Sequence, residues 1–275
     1  MSEVLVSTDW VAQHADDANV RVVEVDVDTT AYDQGHVAGA AGWNWTTELC
    51  DTLVRDIVPK QKLEALLGKS GIDNNSTIVL YGDNNNWFAA WAFWQLKIYG
   101  HRDVRIMNGG RKKWVAETRD LSTDKPTFPA KSYTAKAPDN SLRAFLPEVQ
   151  KAVASKSHAL VDVRSPQEFS GELMAPPGYE QEGASRTGHI PSAQSIPWAQ
   201  AVRDDGTFKA ADELRDLYGG KGVTADKKVT AYCRIGERSA HTWFVLHELL
   251  GFDDVRNYDG SWTEWGNLVD VPIER

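Results

Sequence analysis

Residues 77–114, TIVLYGDNNNWFAAWAFWQLKIYGHRDVRIMNGGRKKW, and residues 228–265, KVTAYCRIGERSAHTWFVLHELLGFDDVRNYDGSWTEW, carry one pattern twice, without a gap. Tyr81 pairs with Tyr232, Gly100 with Gly251, Asp103-Val104-Arg105 with Asp254-Val255-Arg256 and Trp114 with Trp265, each 151 positions apart. Upstream, VEVD followed by His36–Ala40 recurs as LVDVR followed by His189–Ala193, 153 positions apart. The second copy carries an insertion, SGELMAPPGYEQEGASRTGHI, between its strand and its Gly-His. A repeat of this length means two copies of one folding unit. The segment between them, TRDLSTDKPTFPAKSYTAKAPDNS, is polar and contains prolines, so it reads as a surface linker. The expected division is a first domain over 1–120, a linker over 121–141 and a second domain over 142–275.

Within each copy, short apolar runs (RVVEVD, TIVLY and VRIMNGG; then ALVDV, KVTAY and VRNYDGS) have the character of buried parallel strands. Helical patterns alternate with them, such as KLEALLGKSG, stopped by glycine, and FLPEVQKAVAS. Each copy is therefore expected to be an α/β domain, a mostly parallel sheet flanked by helices. Ligands of such sheets gather outside the carboxyl ends of the strands. Cys233 directly follows KVTAY and stands at that end.

The composition narrows the partners. The 275 residues are 41% hydrophobic and carry a net charge of −9, which speaks against nucleic acid and anionic membrane surfaces. The opening MSEVLVSTDW has neither a basic n-region nor an apolar h-region, and no later run approaches a membrane span. Two cysteines exclude a disulfide scaffold and fit a reducing compartment, so a cytoplasmic location is expected. Most of the eleven tryptophans are assigned to core or domain-interface packing. No Cys/His cluster has metal-ligand spacing, and nothing calls for a cofactor.

The two cysteines differ in their surroundings. Cys50, in TTELCDTL, reads as a packing residue. Cys233 opens a strand-to-helix loop, Cys233-Arg234-Ile235-Gly236-Glu237-Arg238, in which Gly236 permits a tight turn. Inward-curling amides at the start of the next helix, with Arg234 and Arg238, would favour thiolate over thiol and make Cys233 a nucleophile. The same register gives the first copy Gly82, Asp83 and three asparagines, with neither nucleophile nor cationic cradle. One copy reads as reactive and its twin as a scaffold.

The whole chain resembles a tandem-domain rhodanese, a bacterial-type thiosulfate sulfurtransferase. The resemblance rests on Tyr32 and His36-Val37-Ala38-Gly39-Ala40, on Gly188-His189-Ile190-Pro191, on the Cys233 loop and on VRNYDGSWTEW with Tyr258, Gly260, Trp262, Glu264 and Trp265. It implies two rhodanese-like domains and a ping-pong reaction in which Cys233 takes the outer sulfur of thiosulfate as a persulfide. Sulfite leaves, and cyanide or another thiophilic acceptor then removes the sulfur. Arg238 is expected to contact the donor, with Arg234 matching the basic residue that follows cysteine in the thiosulfate-using branch. Ile235, Gly236 and Glu237 complete the donor-binding loop. Ile235 replaces a second basic residue, and Glu168 stands about where some relatives have a donor-binding arginine, so positive charge near the site is reduced. Arg164 and Arg186 are candidate substitutes, Asp162 a brace for the loop, and His36 and His189 turn-forming residues.

Three rivals stand beside this reading. A 3-mercaptopyruvate sulfurtransferase would have a small, uncharged loop after cysteine, unlike Arg234 to Arg238. A related phosphatase carries its arginine six positions after cysteine, whereas Arg238 comes five after Cys233. A redox-sensing module would leave the paired arginines without a substrate.

Overall fold

The computed structural model describes residues 4–176 and 183–275, so residues 177–182 of the insertion lie outside the described residues. The chain divides into two compact units, Met1–Asp139 with Val202–Phe208, and Asn140–Ala201 with Lys209–Arg275.

The first unit contains, in chain order, β1 (Leu5–Val6), α1 (Thr8–His14), β2 (Val20–Glu24), α2 (Ala31–Gln34), β3 (Ala41–Gly42), α3 (Trp45–Glu48), β4 (Cys50–Asp51), β5 (Asp56–Ile57), α4 (Lys60–Lys69), β6 (Thr77–Tyr81), α5 (Asp83–Ile98), β7 (Val104–Met107) and α6 (Gly110–Ala116). Its main sheet has the order β1-β7-β6-β2-β3, parallel throughout. Every residue of β6 is buried, as expected for a central strand covered on both faces. Residues 121–139 pack on this unit: Lys131 N–H donates to Gly68 O, and the Tyr133 hydroxyl meets His101 Nδ1 at 2.9 Å.

The second unit contains α7 (Leu146–Ser155), β8 (His158–Asp162), α8 (Pro166–Ser170), β9 (Gln194–Ser195), α9 (Ala211–Gly219), β10 (Lys228–Tyr232), α10 (Glu237–Phe244), β11 (Val255–Tyr258) and α11 (Ser261–Trp265). Its sheet order, β11-β10-β8-β9, is again parallel and repeats β7-β6-β2-β3 of the first unit. Where the first unit adds β1, the second has a single parallel bridge from Arg143 to Asn257.

The duplication extends to side chains. The Tyr81 hydroxyl accepts from Val37 N–H at 2.8 Å, and the Tyr232 hydroxyl accepts from Ile190 N–H at 3.0 Å. His36 stacks on Tyr32 and reaches its carbonyl, while His189 does the same with Phe169. Both histidines thus close the turn after a short helix. Eight of the eleven tryptophans are buried, which accounts for most of them as packing. Cys50 is half-buried on the β4–β5 hairpin, paired with Ile57.

In each sheet the strand order reverses once. In the second unit this happens between β8 and β10, whose last residues, Asp162 and Tyr232, are register partners. A crevice forms at such a switch point, outside the carboxyl ends of the strands. Cys233 is the first residue beyond β10.

Candidate active site

Three elements, α10, β11 and α11, hold the Cys233 loop. Cys233 N–H donates to Ser261 Oγ at 3.0 Å, and its carbonyl accepts from Trp262 N–H at 3.1 Å. Arg234 O accepts from Thr263 N–H at 3.0 Å, so α11 receives the loop on its first amides. Gly236 has φ +100, and a Cβ there would come within 2.6 Å of Asp259 Cα, so only glycine makes this turn at low cost. The Gly236 carbonyl is fixed by Asn257 Nδ2 at 2.8 Å and by the Ser239 hydroxyl at 3.1 Å. From this turn Gly236 N–H points at Cys233 Sγ, 3.1 Å away.

Cys233 is completely buried, and in the loop from Cys233 to Arg238 only Ile235 is half-exposed. The thiol donates to Glu237 Oε2 at 3.3 Å. Here the structure departs from the expectation of a depressed thiol pKa. Burial, followed by the Glu237 charge, pushes the Cys233 thiol up, and the opposing influence of Arg238 and of hydrogen bonds from Ser239 does not offset them. Both influences favour the thiol over the thiolate.

Arg238 is already paired. Its two terminal nitrogens hold Glu168 in a fork, Nη1 to Oε2 at 2.9 Å and Nη2 to Oε1 at 3.0 Å, with both side chains buried. Burial lowers the Arg238 pKa, but Glu168 outweighs it and holds the guanidinium above its ordinary value. Burial likewise raises Glu168, and Arg238 more than offsets it. Glu168 therefore does more than dilute positive charge; it occupies the fork that sequence reasoning assigned to the donor. The Ser165 capping box on α8 places it, with Ser165 N–H donating to Glu168 Oε2 at 3.0 Å.

The supporting residues are distributed as follows. Asp162, the last residue of β8, accepts Arg164 N–H and grips its guanidinium, with Nη2 to Oδ2 at 2.6 Å. Arg164 also donates to Gly188 O at 2.7 Å and lies over the Trp262 ring, so it ties β8 to the turn before His189. Arg186 donates to four backbone carbonyls, those of Trp265, Gly266, Leu268 and Val271. Both candidate substitutes are thus committed to structure. Arg234 is buried within the loop.

Ser261, Asn257 and Ser239 were not singled out from the sequence, yet they set the loop's shape. Two signals were present. Asn257 is a polar residue opposite the apolar Ile106 in the repeat register, and Ser261 stands opposite Gly110. Gly110 has φ +55 and Ser261 φ +54, so the second copy keeps a glycine-like backbone while gaining a hydroxyl for Cys233.

A parallel α/β sheet with a lone cysteine on a tight amide loop at its switch point, built twice but armed once, defines the class. The rhodanese-like domain matches this chain twice, over residues 7–117 and 146–268, and the chain belongs to that family. It is 56% identical to the "Putative thiosulfate sulfurtransferase" of Haloferax volcanii, over 99% of this chain and 96% of that protein. It is 55% identical to the sulfur carrier protein TtuD of Thermus thermophilus, over 99% and 97%. Among solved structures, the anaerobic ergothioneine biosynthesis enzyme of Chlorobium limicola superposes with a TM-score of 0.84 at 25% identity, over 99% of this chain and 70% of that one. A structure of an EanB variant with a cysteine persulfide and ergothioneine gives the same TM-score and identity. The protein is a sulfurtransferase with two rhodanese domains.

Proposed function

We propose that this sulfurtransferase moves the sulfane sulfur of thiosulfate to cyanide or another thiophilic acceptor through a persulfide on Cys233. The observation that carries the reading is the Gly236 amide aimed at Sγ from a loop at the switch point, beside Arg234 and Arg238. An amide so placed steadies negative charge on sulfur, whether thiolate or persulfide. The names of the relatives support thiosulfate as donor. They also favour a second acceptor class, because one of them is named a sulfur carrier. In that version the persulfide passes to a cellular thiol or carrier protein and cyanide serves only in the assay.

In this reading the thiosulfate dianion meets Arg234 and competes with Glu168 for the Arg238 fork. A planar guanidinium suits sulfonate-like oxygens, and a dianion gains more from it than a monocarboxylate does. Thiosulfate is therefore ranked above 3-mercaptopyruvate, and the reaction is assigned to the cytoplasm. No helix among the described residues is long and apolar enough to cross a membrane. The test is the intact mass of the native protein after thiosulfate treatment. One added sulfur, on Cys233 and removed by cyanide, is the expected result, and side-by-side kcat/KM values for the two donors check the ranking. An unchanged mass would sink the reading.

A further inference from the structure

The persulfide reading leaves a proton unaccounted for. Cys233 is buried with its thiol in hydrogen-bond contact with a carboxylate, and a thiol cannot attack thiosulfate until its proton has gone somewhere. Glu237 is the acceptor already in contact with it: Sγ–H donates to Oε2 at 3.3 Å. Glu237 is 1% exposed, and its other oxygen, Oε1, accepts no hydrogen bond from the described residues. A buried carboxylate is normally paired with a cation or saturated by donors. Arg238 follows Glu237 in the chain but spends its fork on Glu168, 70 positions away. Glu237 is thus a buried carboxylate whose hydrogen-bonding partner among the described residues is the reacting sulfur.

We propose that Glu237 is a catalytic residue, the base that takes the Cys233 proton during attack and keeps it until the sulfur has been passed on. The inference rests on the reading of Cys233 as sulfur acceptor. In the first half-reaction Sγ bonds to the outer sulfur of thiosulfate, and the sulfur–sulfur bond of the donor breaks with its electron pair leaving on sulfite. The proton moves from Sγ to Glu237 Oε2. The products are the anionic persulfide, neutral Glu237 and the sulfite dianion, so charge and atoms balance without an outside oxidant. In the second half-reaction a thiophile such as cyanide takes the outer sulfur as thiocyanate, and Glu237 returns its proton to Sγ. The electrostatic reason is direct. A carboxylate and a persulfide anion in contact inside a buried loop repel strongly, and transfer of the proton removes one of the two charges at the moment the other forms. The charged group acting on the pair is Arg238, held by Glu168 from α8, while Asp259, held by Arg143 at 2.6 Å, packs against the Gly236 turn.

The test compares wild type with Glu237→Gln and Glu237→Asp in single-turnover persulfide formation, read by quench-flow and intact mass across pH. The expected result for Glu237→Gln is a saturating rate about 100-fold lower at neutral pH, the size of a lost general base. That rate should climb towards wild type in alkali, where solvent removes the proton, while half-saturation by thiosulfate does not rise. Glu237→Asp should retain part of the rate. A pH-indicator dye, read above the pH at which sulfite is protonated, should show no proton release from wild type and one per persulfide from Glu237→Gln. Neutral-pH rates in Glu237→Gln equal to or above wild type would mean the carboxylate only repels the thiolate, and would overturn the proposal. A loss equal at every pH would also overturn it, as the mark of a structural role. If the glutamine variant fails to fold, the infrared difference spectrum of wild type decides: a protonated-carboxyl band must grow with the persulfide, and its absence rejects the idea. A wild-type protein that gains no sulfur refutes the parent reading instead.

Discussion

The loops after β6 and after β10 occupy the same place in the same fold and have opposite chemistry. After β10, Cys233 meets the Gly236 amide and the Glu237 carboxylate, the loop carries Arg234 and a Glu168-held Arg238, and the turn is made by one glycine. After β6, Gly82 is followed by Asp83 and by Asn84, Asn85 and Asn86, all three left-handed, with φ between 42° and 64°. Asparagine tolerates that conformation better than most residues, which explains a run of three. Asn86 holds this loop itself, accepting Gly82 N–H at 3.0 Å and donating to Met107 O at 2.8 Å. Asp83 accepts Val27 and Asp28 N–H, and its own amide donates to Asp26. With Glu24 beside them, the first switch point is acidic where the second carries arginines. Burial, reinforced by Glu24 and Asp83, pushes Asp26 up to about 9. The lesson is that the backbone crevice comes with the fold, whereas its charge is set by a handful of loop residues.

The strongest way to break this comparison is to move the nucleophile. Cys233→Ser should abolish thiosulfate:cyanide transfer and Cys50→Ser should leave it nearly intact, in a thiocyanate assay on folded proteins. Gly82→Cys in the Cys233→Ser background should gain nothing, because an added Cβ would overlap the Val25 carbonyl oxygen and the loop itself carries no arginine. Equal losses from the two serine variants, or transfer from the Gly82 variant, would erase the distinction between the loops.

Next in size is the Arg238–Glu168 pair, which has no counterpart in the first loop. Arg238→Ala leaves Glu168 buried without its fork and should lower unfolding stability by about 3–5 kcal/mol. Replacing both, as Glu168→Leu with Arg238→Met, should recover most of that, measured by urea unfolding. The folded double variant then reads the donor-binding role separately, with an expected loss in thiosulfate kcat/KM of about 2–4 kcal/mol. Unchanged thiosulfate kinetics would remove Arg238 from the donor site.

The acidic loop can be probed by pH. A carboxyl whose folded pKa is raised binds its proton more tightly when folded, so its stabilising share is complete below the unfolded value. That share fades as pH rises through the window up to about 9. Asp26→Asn should therefore raise stability by about 2–3 kcal/mol at mildly alkaline pH and by nothing below about pH 4. A pH-independent gain would contradict the acidic-cluster account. The smallest effect is expected at Ser261. Ser261→Ala should cost about 1 kcal/mol through the lost Cys233 hydrogen bond. Ser261→Gly should cost less, since glycine adopts φ +54 freely, and thermal unfolding of the two variants orders them.

Much of this was legible because the chain repeats. The register of Tyr81 with Tyr232 and of His36 with His189 placed strands, turns and the odd loop before any coordinates, and the sheet orders agree with it. Side-chain commitments were not legible in the same way. Arg238, Arg164 and Arg186 read alike as cations near a site, yet one grips Glu168, one grips Asp162 and one binds carbonyls of the C-terminal segment. Glu168 and Arg238 lie on different elements, and nothing in local spacing joins them.

From the sequence alone came the duplicated α/β fold, the strand that ends at Cys233 and the absence of a cysteine and arginines from the corresponding loop of the first copy. Strand pattern, repeat register and loop composition are local properties, and they survive in one dimension. The tertiary structure alone decided that the thiol is buried against Glu237, that Arg238 is already paired, and that Ser261, Asn257 and Ser239 shape the loop. The reason is physical: a pKa and an ion pair depend on which groups are desolvated together, and only folding brings α8, β11 and α11 around one sulfur atom.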